Sequence, residues 1–254
     1  MREGVVLANE SIGGGYYHLI VNCPKLAKEM KDGQIVHIRV KDGNDPLLRR
    51  PFSVYLYDRE AGTIEFVYAI KGVGTEIMRS YEPGDEIDLL GPTGKSYTLK
   101  EGAKKIVLLG RGVGIASIIS LGVSAAEKGV GVEAILSGKS PEKVFGGKAL
   151  QSPITTVNEV YDTDGTSDVE NVLKILKRTQ QEGAIDQLFV CGSKRLGQLA
   201  YDFSNEHSIE GYISLEERMA CGIGVCHVCV CKTTKGYQTV CKDGPVFPLA
   251  EVYG

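Results

Sequence analysis

The stretch KKIVLLGRGVGIASIISLGVSAAEKG, residues 104–129, sets the architecture of this chain. Ile106 to Leu109 are apolar without a break, the pattern of a short strand buried on both faces. Gly110-Arg111-Gly112-Val113-Gly114 follows at once, and the residues after it have helical spacing up to a stop at Gly129. A buried strand, a glycine-rich turn and a helix open a parallel α/β layer, and the turn is a natural seat for a nucleotide pyrophosphate. A tight strand-to-helix turn without a ligand is the alternative.

Downstream the alternation continues. VEAILSG (132–138) reads as a strand and DVENVLKILKRTQ (168–180) as an amphipathic helix, with Val169, Val172, Leu173, Ile175 and Leu176 largely on one face. QLFVCG (187–192) is a strand and RLGQLAYDFSNE (195–206) a helix. Such alternation implies a parallel sheet with helices on its faces. Cys191-Gly192 ends the later strand at the carboxyl edge, where open α/β sheets bind ligands; a buried structural cysteine is the alternative.

Upstream of about residue 101 the pattern differs. VVLANES, YHLIVNC, QIVHIRV, FSVYLYD, TIEFVYAI and DEIDLLG are rich in β-branched and aromatic residues and recur at short spacing. They predict an antiparallel barrel or sandwich, interrupted by one helix near residues 74–81. Two features could seat a cofactor. Arg50-Pro51-Phe52-Ser53 heads a strand, and an arginine beside a hydroxyl can clamp a diphosphate and a flavin edge. Ile70-Lys71-Gly72-Val73-Gly74-Thr75 turns into a helix N-terminus, which suits phosphate. Gly91-Pro92-Thr93-Gly94 closes this half and reads equally as a plain turn.

The bulk composition is that of an ordinary globular chain, 43% hydrophobic and 24% charged, with a net charge of −3 that offers no basic field for nucleic acid. No run approaches the ~18 apolar residues of a membrane span, and no export leader is legible at the N-terminus, so a cytoplasmic protein is expected. The cysteines are unusual: five of the seven fall within 221–241. Clustering of that kind argues for metal-bound thiolates in a reducing compartment over a disulfide scaffold.

Cys221, Cys226, Cys229 and Cys241 have the Cys-x4-Cys-x2-Cys…Cys spacing that holds a [2Fe–2S] cluster. Gly222 and Gly224 keep side chains out of the ligand loop and free its N–H groups to point at sulfur. Structural zinc, which favours two Cys-x2-Cys pairs, and free thiols are the alternatives. Cys231 is a spare thiol, His227 a loop residue and Cys23 a core residue. The tail from about residue 211 reads as loop with short strands, unable to build its own core and organised by metal.

In this order these segments resemble the ferredoxin reductase-type flavoproteins, and most closely the electron-transfer subunits of type B dihydroorotate dehydrogenases. The most specific matches are Glu217-Arg218-Met219-Ala220-Cys221 through Cys229 and the ending Val240-Cys241-Lys242-Asp243-Gly244-Pro245-Val246-Phe247. The resemblance implies three parts: a six-stranded FAD-binding β-barrel over residues 1–100, a parallel-sheet NAD(H)-binding α/β domain over 101–210, and a small [2Fe–2S] subdomain over 211–254. It implies that Arg50 and Ser53 contact FAD, with Gly72, Gly74 and Thr75 beside its phosphates, and that Gly110, Gly112, Gly114, Cys191 and Gly192 face the pyridine nucleotide. The implied partner is an FMN-containing dehydrogenase subunit of pyrimidine biosynthesis, joined in a heterotetramer. No catalytic acid, base or nucleophile stands out. Three departures fall in the nucleotide half: Arg111 replaces a glycine and Ser117 a proline, Ser193 replaces a proline, and residues 162–167 are short and acidic. They leave open a different nucleotide or a degenerate site. Service to another catalytic subunit, such as a hydrogenase or another reductase, and a cluster-based redox sensor are the remaining readings.

Overall fold

The computed structural model describes residues 2–254 and contains two large sheets and a hairpin. The first sheet opens with β1 (Arg2–Gly13) and β2 (Tyr16–Asn22). α1 (Pro24–Glu29) follows, a short helix that the sequence reading did not foresee; Pro24 starts it, and Leu26 and Ala27 pack onto the barrel core. β3 (Ile35–Arg39), β4 (Arg50–Ser53), β5 (Leu56–Asp58), β6 (Thr63–Ala69), α2 (Val73–Arg79) and β7 (Glu86–Thr93) complete this half. The strand order is β4-β3-β7-β1-β2-β6-β5, antiparallel throughout. Side chains alternate across the sheet, so Val36, Ile38, Ile64, Phe66 and Leu89 point inward and are fully buried.

Residues 52–58, expected as one strand, form parts of two. Val54 N–H donates to the Gln34 carbonyl at 3.3 Å, on the β3 side. Tyr55 N–H donates to the Glu65 carbonyl of β6 at 2.8 Å. The chain changes partner between these two residues. One segment therefore supplies both ends of the strand order, and this closes the six expected runs into a barrel.

The second sheet comprises β8 (Lys105–Arg111), β9 (Gly131–Gly138), β10 (Thr155–Tyr161), β11 (Gln187–Cys191) and β12 (Glu210–Ser214), with α3 (Ala116–Glu127), α4 (Val169–Glu182) and α5 (Lys194–His207) between them. These strands are parallel, in the order β10-β9-β8-β11-β12. α3 packs with Leu108, Leu136 and Phe189 on one face. α4 and α5 cover Val107, Leu109 and Val190 on the other. Each fully buried aliphatic side chain of this kind contributes roughly 1.5–3 kcal/mol. β10 escaped the sequence reading because it is an edge strand carrying Asn158 and Glu159, with only Val160 buried.

The tail forms a hairpin of β13 (Val230–Thr233) and β14 (Gly236–Thr239), then β15 (Val246–Pro248) and α6 (Leu249–Tyr253). β15 extends the parallel sheet by pairing antiparallel with β12. Cys229, Val240, Cys241 and Phe247 join the core under α4 and α5. The expectation that metal alone organises the tail is thus corrected: it borrows the core of the neighbouring layer.

Tyr97 joins the two halves. It is buried among residues of both sheets, meets Phe189 edge-on with centroids 5.2 Å apart, and its N–H donates to the Asp32 carbonyl at 2.8 Å. Among the described residues, no helix is long and apolar enough to cross a membrane.

Candidate functional site

Two of the sequence motifs in the barrel meet in space. A Cβ on Gly74 would lie 2.5 Å from Arg50 Nε, so the guanidinium lies directly on the α2 backbone and only glycine admits it. Arg50 also donates to the Leu48 carbonyl, which fixes the fork's direction. Thr75 organises the turn: its Oγ1 accepts from the N–H groups of Lys71 (2.9 Å) and Gly72 (3.2 Å) and donates to the Gly72 carbonyl at 3.0 Å. Thr75→Val removes all three bonds. It should lower stability by about 1 kcal/mol, the ordinary value of a helix cap. A urea titration reads this as a lower midpoint at unchanged slope, and Thr75→Ser should restore it.

Pro51, Phe52, Ser53 and Thr75 line a cavity of about 410 Å³ between the barrel and the parallel sheet. Its far wall takes Val113 from the turn after β8 and Ala116 from the start of α3, and its rim takes Glu216 and Met219 from the approach to the cysteine loop. Apolar walls with a few converging polar groups suit a flat heteroaromatic ring. A larger cavity of about 730 Å³ opens elsewhere on the barrel beside Arg2, Arg39 and Lys41. None of the expected site residues lines it, so the smaller cavity is the candidate site.

The nucleotide-loop glycines gather where the strand order reverses between β8 and β11, the place where ligands enter such sheets. A Cβ on Gly114 would lie 2.5 Å from Gly192 Cα, so these two backbones touch. Gly192, at φ +90°, lies against the Arg111 carbonyl, and Gly112 has φ +55°. Gly110 is needed for packing, since a Cβ there would meet Ile118 at 2.7 Å and Ile115 at 3.0 Å. Two of the sequence departures pair with each other. Arg111 donates to Ser137 Oγ and to Asp162 Oδ2, both at 2.7 Å, across the carboxyl ends of β9 and β10. The Arg111 guanidinium, with a further bond from Ser167, holds the Asp162 carboxyl below its usual range.

Cys191 is fully buried, and burial pushes its thiol well above the ordinary range. Its Sγ lies 3.9 Å from Glu216 Oε1. Sequence reasoning missed Glu216, which no motif flags. It is exposed on the cavity rim, yet its carboxyl is crowded by protein on the cavity side. That desolvation raises its pKa, and Lys71 opposes the rise.

The four cysteines of the tail come together in two pairs, Cys221 with Cys226 and Cys229 with Cys241. Cys229 and Cys241 are buried, Cys221 is half-buried and Cys226 is exposed. Backbone N–H groups point at the sulfurs: Ile223 and Cys226 donate to Cys221 Sγ at 3.5 and 3.4 Å, Gly224 to Cys241 Sγ at 3.1 Å, and Cys241 to Cys229 Sγ at 3.4 Å. The first two bring the Cys221 thiol down to about 6, toward the thiolate that binds metal. Burial pushes Cys241 the other way. Two cysteine pairs ringed by N–H donors fit a two-iron cluster with two cysteines per iron.

Gly222 (φ +71°) and Gly224 (φ +79°) are required for a reason partly different from the expected one. A side chain at either would strike protein, His37 at 2.5 Å and Lys242 at 2.7 Å respectively. His227 also holds a positive φ, and is an exposed loop residue as expected.

Two family models match this chain. The oxidoreductase FAD-binding domain matches residues 8–97, and the iron-sulfur cluster binding domain of dihydroorotate dehydrogenase B matches residues 216–253. The dihydroorotate dehydrogenase B (NAD(+)) electron transfer subunit of a Geobacillus species is 34% identical over 262 residues, covering 99% of this chain and 98% of that protein. The subunit of the same description from Fusobacterium nucleatum is 34% identical over 229 residues, covering 87% and 86%. Among solved structures, an NADH-dependent reduced ferredoxin-NADP oxidoreductase superposes with a TM-score of 0.84 at 22% identity, over 98% of this chain and 89% of that one, and shares its fold.

Proposed function

This chain belongs to the family of dihydroorotate dehydrogenase B electron transfer subunits, and on that premise we propose that it carries electrons from NADH to a separate catalytic subunit. FAD supplies the change from two-electron to one-electron transfer and the [2Fe–2S] cluster carries single electrons onward. We read residues 1–100 as the flavin unit, 101–210 as the nucleotide unit and 211–254 as the cluster unit. The catalytic subunit is an FMN-containing dihydroorotate dehydrogenase of pyrimidine biosynthesis, assembled with this chain as a heterotetramer in the cytoplasm.

The observation that carries the proposal is that all three units line one cavity. Pro51 to Ser53 come from the barrel, Val113 and Ala116 from the nucleotide loop and the start of α3, and Glu216 and Met219 from the segment leading to Cys221. A flavin ring held there would lie between the nucleotide loop and the approach to the cluster loop.

The residues divide the work accordingly. Arg50, held against Gly74, presents a fixed cationic fork to the FAD diphosphate. Ser53 offers a hydroxyl to the flavin, while Thr75, its hydroxyl fully engaged in the turn, shapes the seat. The bare backbones of Gly112, Gly114 and Gly192 leave room for the pyridine nucleotide. Cys191 offers it a neutral, buried thiol, and Glu216 a carboxyl at the cavity rim. Cys221, Cys226, Cys229 and Cys241 ligate the cluster. Ile223, Val225 and Val228 are exposed around Cys226; an apolar rim about the most exposed ligand suits partner contact near the electron's exit.

Anaerobic mixing tests the proposal. NADH should bleach the bound flavin, and with an FMN-containing dihydroorotate dehydrogenase catalytic subunit added, NADH oxidation should be coupled to orotate reduction. A flavin that stays oxidised under excess NADH would overturn the nucleotide assignment. Bleaching without coupling would overturn the partner assignment.

A further inference from the structure

His37 lies where the flavin cavity and the cluster loop meet. It sits on β3 between Val36 and Ile38, which point into the barrel core. The strand's alternation therefore turns His37 outward, on the same face as Ile35, which lines the cavity. Its neighbours across the sheet are Pro51 of the Arg50–Ser53 motif and Leu90. An outward residue of a barrel is ordinarily exposed, but His37 is only 1% exposed. The loop at Gly222 covers it: a Cβ there would lie 2.5 Å from both Nε2 and Cε1 of the ring.

His37 Nε2 is fully buried and has no hydrogen-bond partner among the described residues. Buried polar atoms are almost always paired, and one left without a protein partner calls for another. Packing alone would be met by leucine or valine. The imidazole is held neutral, since burial and the nearby Arg49 charge depress its pKa to about 4. A neutral ring has one N–H to give.

We propose that His37 is a positioning residue for the iron–sulfur centre, donating its Nε2–H to a cluster sulfur beside Gly222. The inference rests on the proposed ligation by Cys221, Cys226, Cys229 and Cys241. Hydrogen bonds to cluster sulfur favour the more negative, reduced state and raise the potential. His37 thereby makes the cluster a better acceptor from the neighbouring cavity while leaving the ligands unchanged.

The test uses the full chain, purified anaerobically with its cofactors, and reads the cluster and flavin potentials by titration. Iron and sulfide analysis of the unmodified protein comes first; a protein without them overturns the ligand assignment itself. His37→Leu should keep iron, sulfide and flavin, and should shift the cluster's reduction equilibrium about tenfold toward the oxidised form, ~59 mV for one electron. His37→Gln, which keeps an N–H donor, should recover much of that shift. An unmoved cluster potential, or a change confined to the flavin, overturns the proposal. If His37→Leu does not assemble, ring-15N-histidine protein decides by pulsed EPR of the reduced cluster. A ring-nitrogen coupling that His37→Gln abolishes supports the donor role, and no such coupling overturns it.

Discussion

Cys221→Ser is expected to lose the cluster while retaining the flavin. Cys221 is half-buried and makes no contribution to the apolar core, so the oxygen can be tolerated structurally. What it loses is a soft sulfur ligand, along with the anion that the Ile223 and Cys226 N–H groups are set to stabilise. Iron and acid-labile sulfide should fall to background while the FAD is retained, because Cys221 does not itself line the flavin cavity. Cys241→Ser should do more. Its sulfur is buried in the core beneath α4 and α5, and the added hydroxyl should cost about 1–3 kcal/mol of stability as well. Full iron–sulfur absorption in Cys221→Ser would refute the ligand assignment.

Gly114→Val should separate the nucleotide function from the rest. The new Cβ would come within 2.5 Å of Gly192 Cα and 2.8 Å of the Cys191 carbonyl carbon, and both neighbours are backbone that cannot swing aside. Relieving such overpacking costs about 1–3 kcal/mol and separates the loops at the ends of β8 and β11. A reactant misplaced by about 1 Å can cost on the order of a hundredfold, so flavin reduction by NADH should slow roughly ten- to a hundredfold. Dithionite, which needs no nucleotide site, should still reduce flavin and cluster as in the unmodified protein. Stopped-flow measurement with both reductants checks this; an unchanged NADH rate would place the nucleotide elsewhere.

Local pattern carried much of the architecture. The continuous apolar run of 106–109 and the helical spacing after Gly114 became β8 and α3. The cysteine spacing marked the segment that brings four thiols together, whereas the two loop glycines are required by the close approach of His37 and Lys242. Legibility failed where the answer depends on which strands become neighbours. Nothing in residues 52–58 shows that the chain exchanges β3 for β6 between Val54 and Tyr55, since every residue there favours strand equally. β10 was hidden by polar residues that an edge strand tolerates. Arg111 read as a departure, and so did the acidic stretch at 162–167. Their meaning as a matched pair emerges only when parallel strands bring the ends of β8 and β10 to the same edge. Glu216 and His37 carry no local signal at all, because what distinguishes them is the company the fold gives them.

The most direct measurement is EPR-monitored titration of the anaerobic protein with NADH. Electron delivery from the nucleotide through the flavin to the four cysteines predicts that NADH alone elicits the signal of a reduced [2Fe–2S] cluster as the flavin bleaches, with three electrons taken up per chain at completion, two by the flavin and one by the cluster. Flavin bleaching with no cluster signal, in protein shown to contain iron and sulfide, would contradict it.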